Sequence, residues 1–253
     1  IVKRIEPHAD VIELGIPFSD PLADGKTIQN ANQRALNNGT TLKNCVSLIK
    51  EVKNLTRKPI VVLTYANVLG LYEEQAELLE KFSKAGVNGI IVADVPVEEV
   101  DAYKTAFNSV NIHPVLLATI STREERLKQI LNYAGGFLYL VAVKGVTGAR
   151  ESVLGDTKLA IQFISNYLQG SKVNEKNKLP VLVGFGISTP QNARDVLSNG
   201  ADGIIVGSAI IRLIEKNLEN KLKMLNEITN LACSLKQATQ EPKIKEDLIE
   251  ERT

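Results

Sequence analysis

The chain has 253 residues, 44% of them hydrophobic and 23% charged, with a formal net charge of +1. That length suits one large α/β domain, and a near-neutral balance without a basic block argues against a nucleic-acid partner. Cys45 and Cys233 form no CxxC pair and His8 and His113 stand alone, so a soft-metal cluster has no ligand set and both cysteines read as buried free thiols.

No apolar stretch reaches membrane-spanning length and no signal peptide is legible, so a membrane role is not expected. The chain starts at Ile1 and its only methionine is Met224, so a natural N-terminus is expected to precede it.

Residues 1–9 read as the end of a helix with a connector, and residues 11–14 as the first visible strand, broken at Gly15. A loop follows with Ser19, Asp20, Asp24 and Gly25 among two prolines. Residues 27–36 form a helix, and Thr40 or Thr41 caps the next one, in which Leu42, Cys45, Leu48, Ile49 and Val52 recur at helical spacing. Strands at 59–65, 89–93, 114–118, 137–143, 180–183 and 203–206 alternate with helices at about 72–85, 97–107, 121–131, 159–168, 190–199 and from 209. Ser121 and Thr122, each with a Glu three residues on, predict a capping box. Ser188 or Thr189 caps a helix with Pro190 in its first turn. A final amphipathic helix covers about 222–235, and residues 240–253 form a charged tail.

This makes seven apolar strands in β-then-α order, which predicts a parallel sheet. A TIM (β/α)8 barrel closes with eight strands, so the expectation is an α/β barrel whose first strand and most of its helix are absent from this sequence. It would be a single catalytic domain over residues 1–239. An open doubly wound sheet is the alternative. It is disfavoured because the glycines suited to phosphate follow the last two strands rather than the first.

Within the first strand sits one carboxylate, Glu13, which is costly in an apolar strand unless paired or used. A structural Glu held by a buried arginine would explain it alone. The following loop adds Asp24, and barrels place their chemistry at the C-terminal ends of strands. Two carboxylates of unequal exposure suit acid–base work. Turn formation or helix capping is the commoner duty for a loop aspartate. Gly184-Phe185-Gly186 and Gly207-Ser208 follow consecutive strands, where backbone amides and a helix start can hold a phosphate, and Gly148 can add a third amide. Plain tight turns would also use glycine there. Tyr139 reads as a packed aromatic and Asp94 as a site residue or loop cap.

The string IELGIPFSDPLADG resembles the signature of the tryptophan synthase alpha chain family. VADVPVEE, KGVTG, VGFGIS and GSAI match further family segments in order. The resemblance implies a lyase that cleaves indole-3-glycerol phosphate to indole and glyceraldehyde 3-phosphate. It puts the catalytic pair on Glu13 and Asp24, and substrate contacts on Tyr139, Thr147, Gly148, Gly184, Phe185, Gly186, Gly207 and Ser208. It also implies a tryptophan synthase beta chain as partner in an assembly of two alpha and two beta chains. Asp94 and Pro96, the loop at 19–25 and residues 143–156 would lie at that contact. No metal or cofactor is expected in this chain, pyridoxal phosphate belonging to the beta partner, and the location is expected to be cytoplasmic. Lys26, Ala142 and Lys144 depart from the residues frequent at those places in the family. A stand-alone lyase and a non-catalytic regulatory barrel remain open alternatives.

Overall fold

The structure is a computed structural model and describes residues 1–70, 73–142, 150–170, 178–184 and 186–241. A short helix α1 (Val2–Ile5) leads to strand β1 (Ile12–Gly15), then α2 (Lys26–Asn37), α3 (Leu42–Leu55) and β2 (Ile60–Thr64). A one-turn α4 (Ala66–Leu69) precedes α5 (Glu73–Ala85), β3 (Gly89–Val92) and α6 (Asp101–Val110). Two strand segments, β4 (His113–Pro114) and β5 (Leu117–Thr119), come next, followed by α7 (Glu124–Tyr133) and β6 (Leu138–Val141). The chain then runs through α8 (Arg150–Gln169), β7 (Val181–Gly184), α9 (Pro190–Ser198), β8 (Gly203–Ile204), α10 (Ser208–Lys216) and α11 (Lys221–Gln240).

All ladders are parallel, in the orders β1-β2-β3-β4 and β5-β6-β7-β8. The strand expected at 114–118 is one barrel position in two pieces. Val115 N–H donates to Ile90 on one side and Tyr139 N–H donates to Leu116 on the other, at 2.8 and 3.1 Å, so the two sheets form one curved wall. Pro114 has no N–H to give to a continuous ladder, which is a local reason for the break.

Side chains alternate across this wall. Val61, Ile91, Val115 and Tyr139 point inward and pack with Val11, Leu63, Leu117, Val141, Leu182 and Ile205 in the lumen. The opposite faces pack outward: Ile60, Val62 and Ile90 meet Ile49, Leu79 and Phe82 of the helices, while Leu138, Leu140, Val181 and Val183 meet Leu127, Ile161 and Val196. Burial of each large apolar side chain contributes about 2 kcal/mol.

Among the described residues no ladder joins β8 to β1. The helix layer bridges that side instead, through contacts of α10 with α2 and of α1 with α11. Arg34 pairs with Glu215 at 2.5 Å and Lys236 with Asp10 at 2.6 Å across the same seam.

Helix ends follow the local sequence with one exception. Thr41 caps α3 reciprocally: its hydroxyl accepts the Asn44 N–H at 3.3 Å, and Asn44 Oδ1 accepts the Thr41 N–H at 2.9 Å. Thr189 caps α9 in one direction only: its hydroxyl accepts the Asn192 N–H at 3.2 Å, while Asn192 Oδ1 accepts the Ser188 N–H at 3.4 Å. The capping box expected at Ser121 or Thr122 does not form. Helix α7 starts after Arg123 without a side-chain cap, and the Thr122 hydroxyl turns back to accept the Thr119 N–H at 2.8 Å. That hydroxyl closes the β5 turn, so it is spent before the helix begins. Helix α8 starts at Arg150, earlier than expected. Cys45 is buried and Cys233 half-buried, both free thiols.

Candidate active site

Glu13 lies one residue before the penultimate position of β1 and faces the lumen, in register with the inward-pointing Val61. The residue is exposed overall, although protein lies densely enough about its carboxyl for desolvation to act on it. Burial, with the negative charge of Asp24 adding to it, pushes the carboxyl up to about 7. A group poised there exchanges a proton readily at neutral pH.

Asp24 sits in the loop after β1, immediately before α2. Its own N–H donates to Pro21 at 3.0 Å, and its carbonyl accepts from Gln29 Nε2 at 2.9 Å. One carboxyl oxygen accepts from Asn32 Nδ2 at 3.4 Å, one turn further along the helix. Burial raises the Asp24 carboxyl from its ordinary value, while Tyr65 and Asn32 pull it back toward ionisation. The start of α2 also favours a negative charge at this place.

Tyr139 projects from β6 into the same space, 7% exposed. Burial, then Glu13 and Asp24, raise its phenol far above the ordinary range, so it stays neutral. Gly184 at the end of β7 lies against this ring. A Cβ there would stand 2.3 Å from the Tyr139 hydroxyl, which gives Gly184 a packing reason in addition to any ligand contact.

Gly186 follows with φ +80°, a backbone that favours glycine. Gly207 opens α10 without a side-chain cap, and nothing lies within 4 Å of where its Cβ would be. The first amides of that helix, including that of Ser208, are thus presented at an open helix start. Thr147, Gly148 and Phe185 lie outside the described residues. Asp94 and Pro96 are exposed at this same end of the barrel, in the loop after β3. Asp94 Oδ1 accepts the Ala66 N–H at 2.8 Å, so it is a loop cap whatever else it does.

Sequence reasoning missed Tyr65 and Asn32. Asn32 was legible only as one polar position of α2, and Tyr65 only as the aromatic end of an apolar strand. No group of three or more metal-capable side chains converges among the described residues.

A paired lumen carboxylate and loop aspartate at the C-terminal mouth, with glycine turns after the last two strands, stand where family comparison can decide. The family model for the tryptophan synthase alpha chain matches residues 1–240. The chain belongs to the tryptophan synthase alpha chain family. It is 40% identical over 237 residues to a tryptophan synthase alpha chain of Methanoregula boonei, covering 94% of this chain and 86% of that protein. The crystal structure of tryptophan synthase subunit alpha from Legionella pneumophila superposes with a TM-score of 0.77 at 32% identity, covering 94% of this chain and 84% of that one. A chain from a structural study of mutual activation in the tryptophan synthase complex of two alpha and two beta subunits from Pyrococcus furiosus matches with a TM-score of 0.76 at 32% identity. That match covers 92% of this chain and 88% of the other. The fold of this family member is accordingly the TIM barrel of its relatives.

Proposed function

We propose that Glu13 and Asp24 are the acid–base pair with which this chain cleaves indole-3-glycerol phosphate to indole and glyceraldehyde 3-phosphate. The chain is a carbon–carbon lyase of tryptophan biosynthesis, and its partner is a tryptophan synthase beta chain. The observation that carries the residue roles is the Glu13 carboxyl raised to about 7 beside Asp24 at the barrel mouth.

Glu13 starts protonated and gives its proton to C3 of the indole ring. Positive charge then appears at the ring nitrogen, whose N–H is accepted by the ionised Asp24 carboxylate, a preorganised counter-charge. Glu13, now a carboxylate, removes the proton from the glycerol hydroxyl on the carbon attached to C3. The carbon–carbon bond breaks, its electrons return to the ring, and the hydroxyl carbon becomes the aldehyde. Glu13 gives one proton to C3 and takes another from the hydroxyl, so it is reset and no redox partner is required.

Amides at Gly186, Gly207 and Ser208, with Gly148 and Gly184 beside them, hold the phosphate, and Phe185 and Tyr139 wall the substrate. Thr147 is assigned to the substrate site on the family resemblance alone. The loop at residues 19–25, Asp94, Pro96 and residues 143–156 form the partner contact. In this reading the chain carries no cofactor of its own, and pyridoxal phosphate sits in the beta chain. The catalytic domain spans residues 1–239 with a tail at 240–253. Its proposed location is the cytoplasm. Separately, among the described residues no helix is long and apolar enough to cross a membrane.

Glu13→Gln tests the roles. Cleavage is expected to fall by about 10²–10⁴-fold, the usual worth of a general acid–base, with substrate and partner binding retained. Undiminished cleavage would remove Glu13 from the mechanism.

A further inference from the structure

Tyr65, the residue after β2, is 1% exposed, yet its hydroxyl makes no hydrogen bond of good geometry among the described residues, although the Asp24 carboxylate is near enough to feel it. The other such hydroxyl, Thr64, alternates onto the helix-facing side with Val62 and has no access to the lumen. A buried, unpartnered hydroxyl is costly and calls for a reason.

Three contacts fix where Tyr65 stands. Its ring stacks on Phe18 with centroids 5.1 Å apart and planes 27° apart, and Phe18 belongs to the loop that carries Asp24. Its carbonyl accepts the Val68 N–H at 3.0 Å. The next amide, Ala66, is held by Asp94 at 2.8 Å, and Ala93 N–H donates to the Thr64 carbonyl at 2.9 Å, so the loop after β3 clamps the end of β2. Asp24 and Tyr65 act on each other: after burial, the Asp24 charge is the largest cause raising the phenol, and Tyr65 in turn favours the ionised carboxylate.

We infer that Tyr65 is a positioning residue for Asp24, its hydroxyl donating to one carboxylate oxygen as the loop at 16–25 settles on the ligand, with Asp94 fixing Tyr65 through the Ala66 amide. The inference rests on the role proposed for Asp24. With Tyr65 and Asn32 donating to it, the carboxylate remains ionised despite partial burial and keeps a lone pair aimed at the ring N–H. Tyr65 touches no reacting atom; it acts through Asp24.

The test is Tyr65→Phe in the full chain assembled with its beta partner, which keeps the ring and the Phe18 stack. The expected result is a fall of about tenfold in kcat for indole release with KM little changed, the scale of one hydrogen bond to a charged group. The acid limb of kcat, set by Asp24 in the substrate complex, moves to higher pH while the alkaline limb, set by Glu13, stays. Asp94→Ala moves the same limb in the same direction, and Asp94→Asn, which keeps the acceptor for Ala66, recovers most of the loss. A wild-type rate with an unmoved acid limb in Tyr65→Phe overturns the inference, as do two limbs moving together, which would mean general loosening of the site. Wild-type protein that releases no indole with its partner would sink the acid–base reading itself, and this inference with it.

Discussion

Indole release by this chain is expected to fall steeply as pH rises past about 7, the value to which burial and the Asp24 charge push Glu13. In the proposed sequence Glu13 must begin protonated, so the active fraction follows the acid form. One unit above its pKa a carboxyl is about 9% protonated, so kcat/KM near pH 8 is about a fifth of that near pH 7, and each further unit removes about tenfold more. A carboxyl left at its ordinary 4.5 would be protonated in about one molecule in 300 at pH 7, so its environment raises the reactive population more than 100-fold. Initial rates of indole release at subsaturating substrate, across the pH range and with the beta partner present, read this limb directly. Asp24→Asn removes only the second cause of the shift. The Glu13 titration, followed by NMR of its carboxyl carbon, then moves downward but remains nearer 7 than 4.5, since burial is the larger cause. A rate that stays flat well above pH 8, or the same limb in the residual activity of Glu13→Gln, refutes the assignment.

The same carboxyl links pH to stability. Because its folded value is raised, folding takes up a proton between about 4.5 and 7, so stability falls as pH rises through that window. Denaturant unfolding at the two ends of the window shows this slope in the wild type and its flattening in Glu13→Gln. Gly184→Ala drives a methyl into the Tyr139 ring and is expected to cost about 1–3 kcal/mol in thermal or urea unfolding. Tyr139→Ala in the same chain makes the two changes non-additive, whereas strict additivity would mean the ring simply moves aside. Thr41→Ala is expected to lose about 1 kcal/mol with its capping box, while Ser121→Ala, which caps nothing, stays within about 0.5 kcal/mol of wild type. Equal effects at the two sites would contradict the observed caps.

Most of the barrel was legible because each strand is apolar on both faces and each helix carries one apolar stripe, and those periods survive any tertiary setting. Glu13 stood out against the same apolar pattern, but a structural glutamate would explain a lone acid there. Only Asp24, in the following loop at a strand end, turned the reading toward chemistry. What the sequence hid depends on three-dimensional neighbours. Ser121 and Thr122 carry a good capping pattern, but the Thr122 hydroxyl is claimed by the turn closing β5. Gly184 reads as a phosphate glycine, and only the lumen shows Tyr139 pressed against it. Residues 114–118 read as one strand, whereas the chain there forms two pieces, 113–114 pairing with β3 and 117–119 with β6. Tyr65 is the clearest case. Nothing near it in sequence points to Asp24, which lies a whole β/α unit earlier and meets it only because β1 and β2 pair side by side.

The central claim, that the Glu13 and Asp24 pair cleaves indole-3-glycerol phosphate, is tested most directly by indole release with and without a beta chain, in wild type and Glu13→Gln. The account predicts release by wild type that rises when the partner binds, and release at least about 100-fold lower in Glu13→Gln with partner and substrate still bound. Wild-type protein that binds substrate and partner but frees no indole, or a Glu13→Gln chain as fast as wild type, would contradict it.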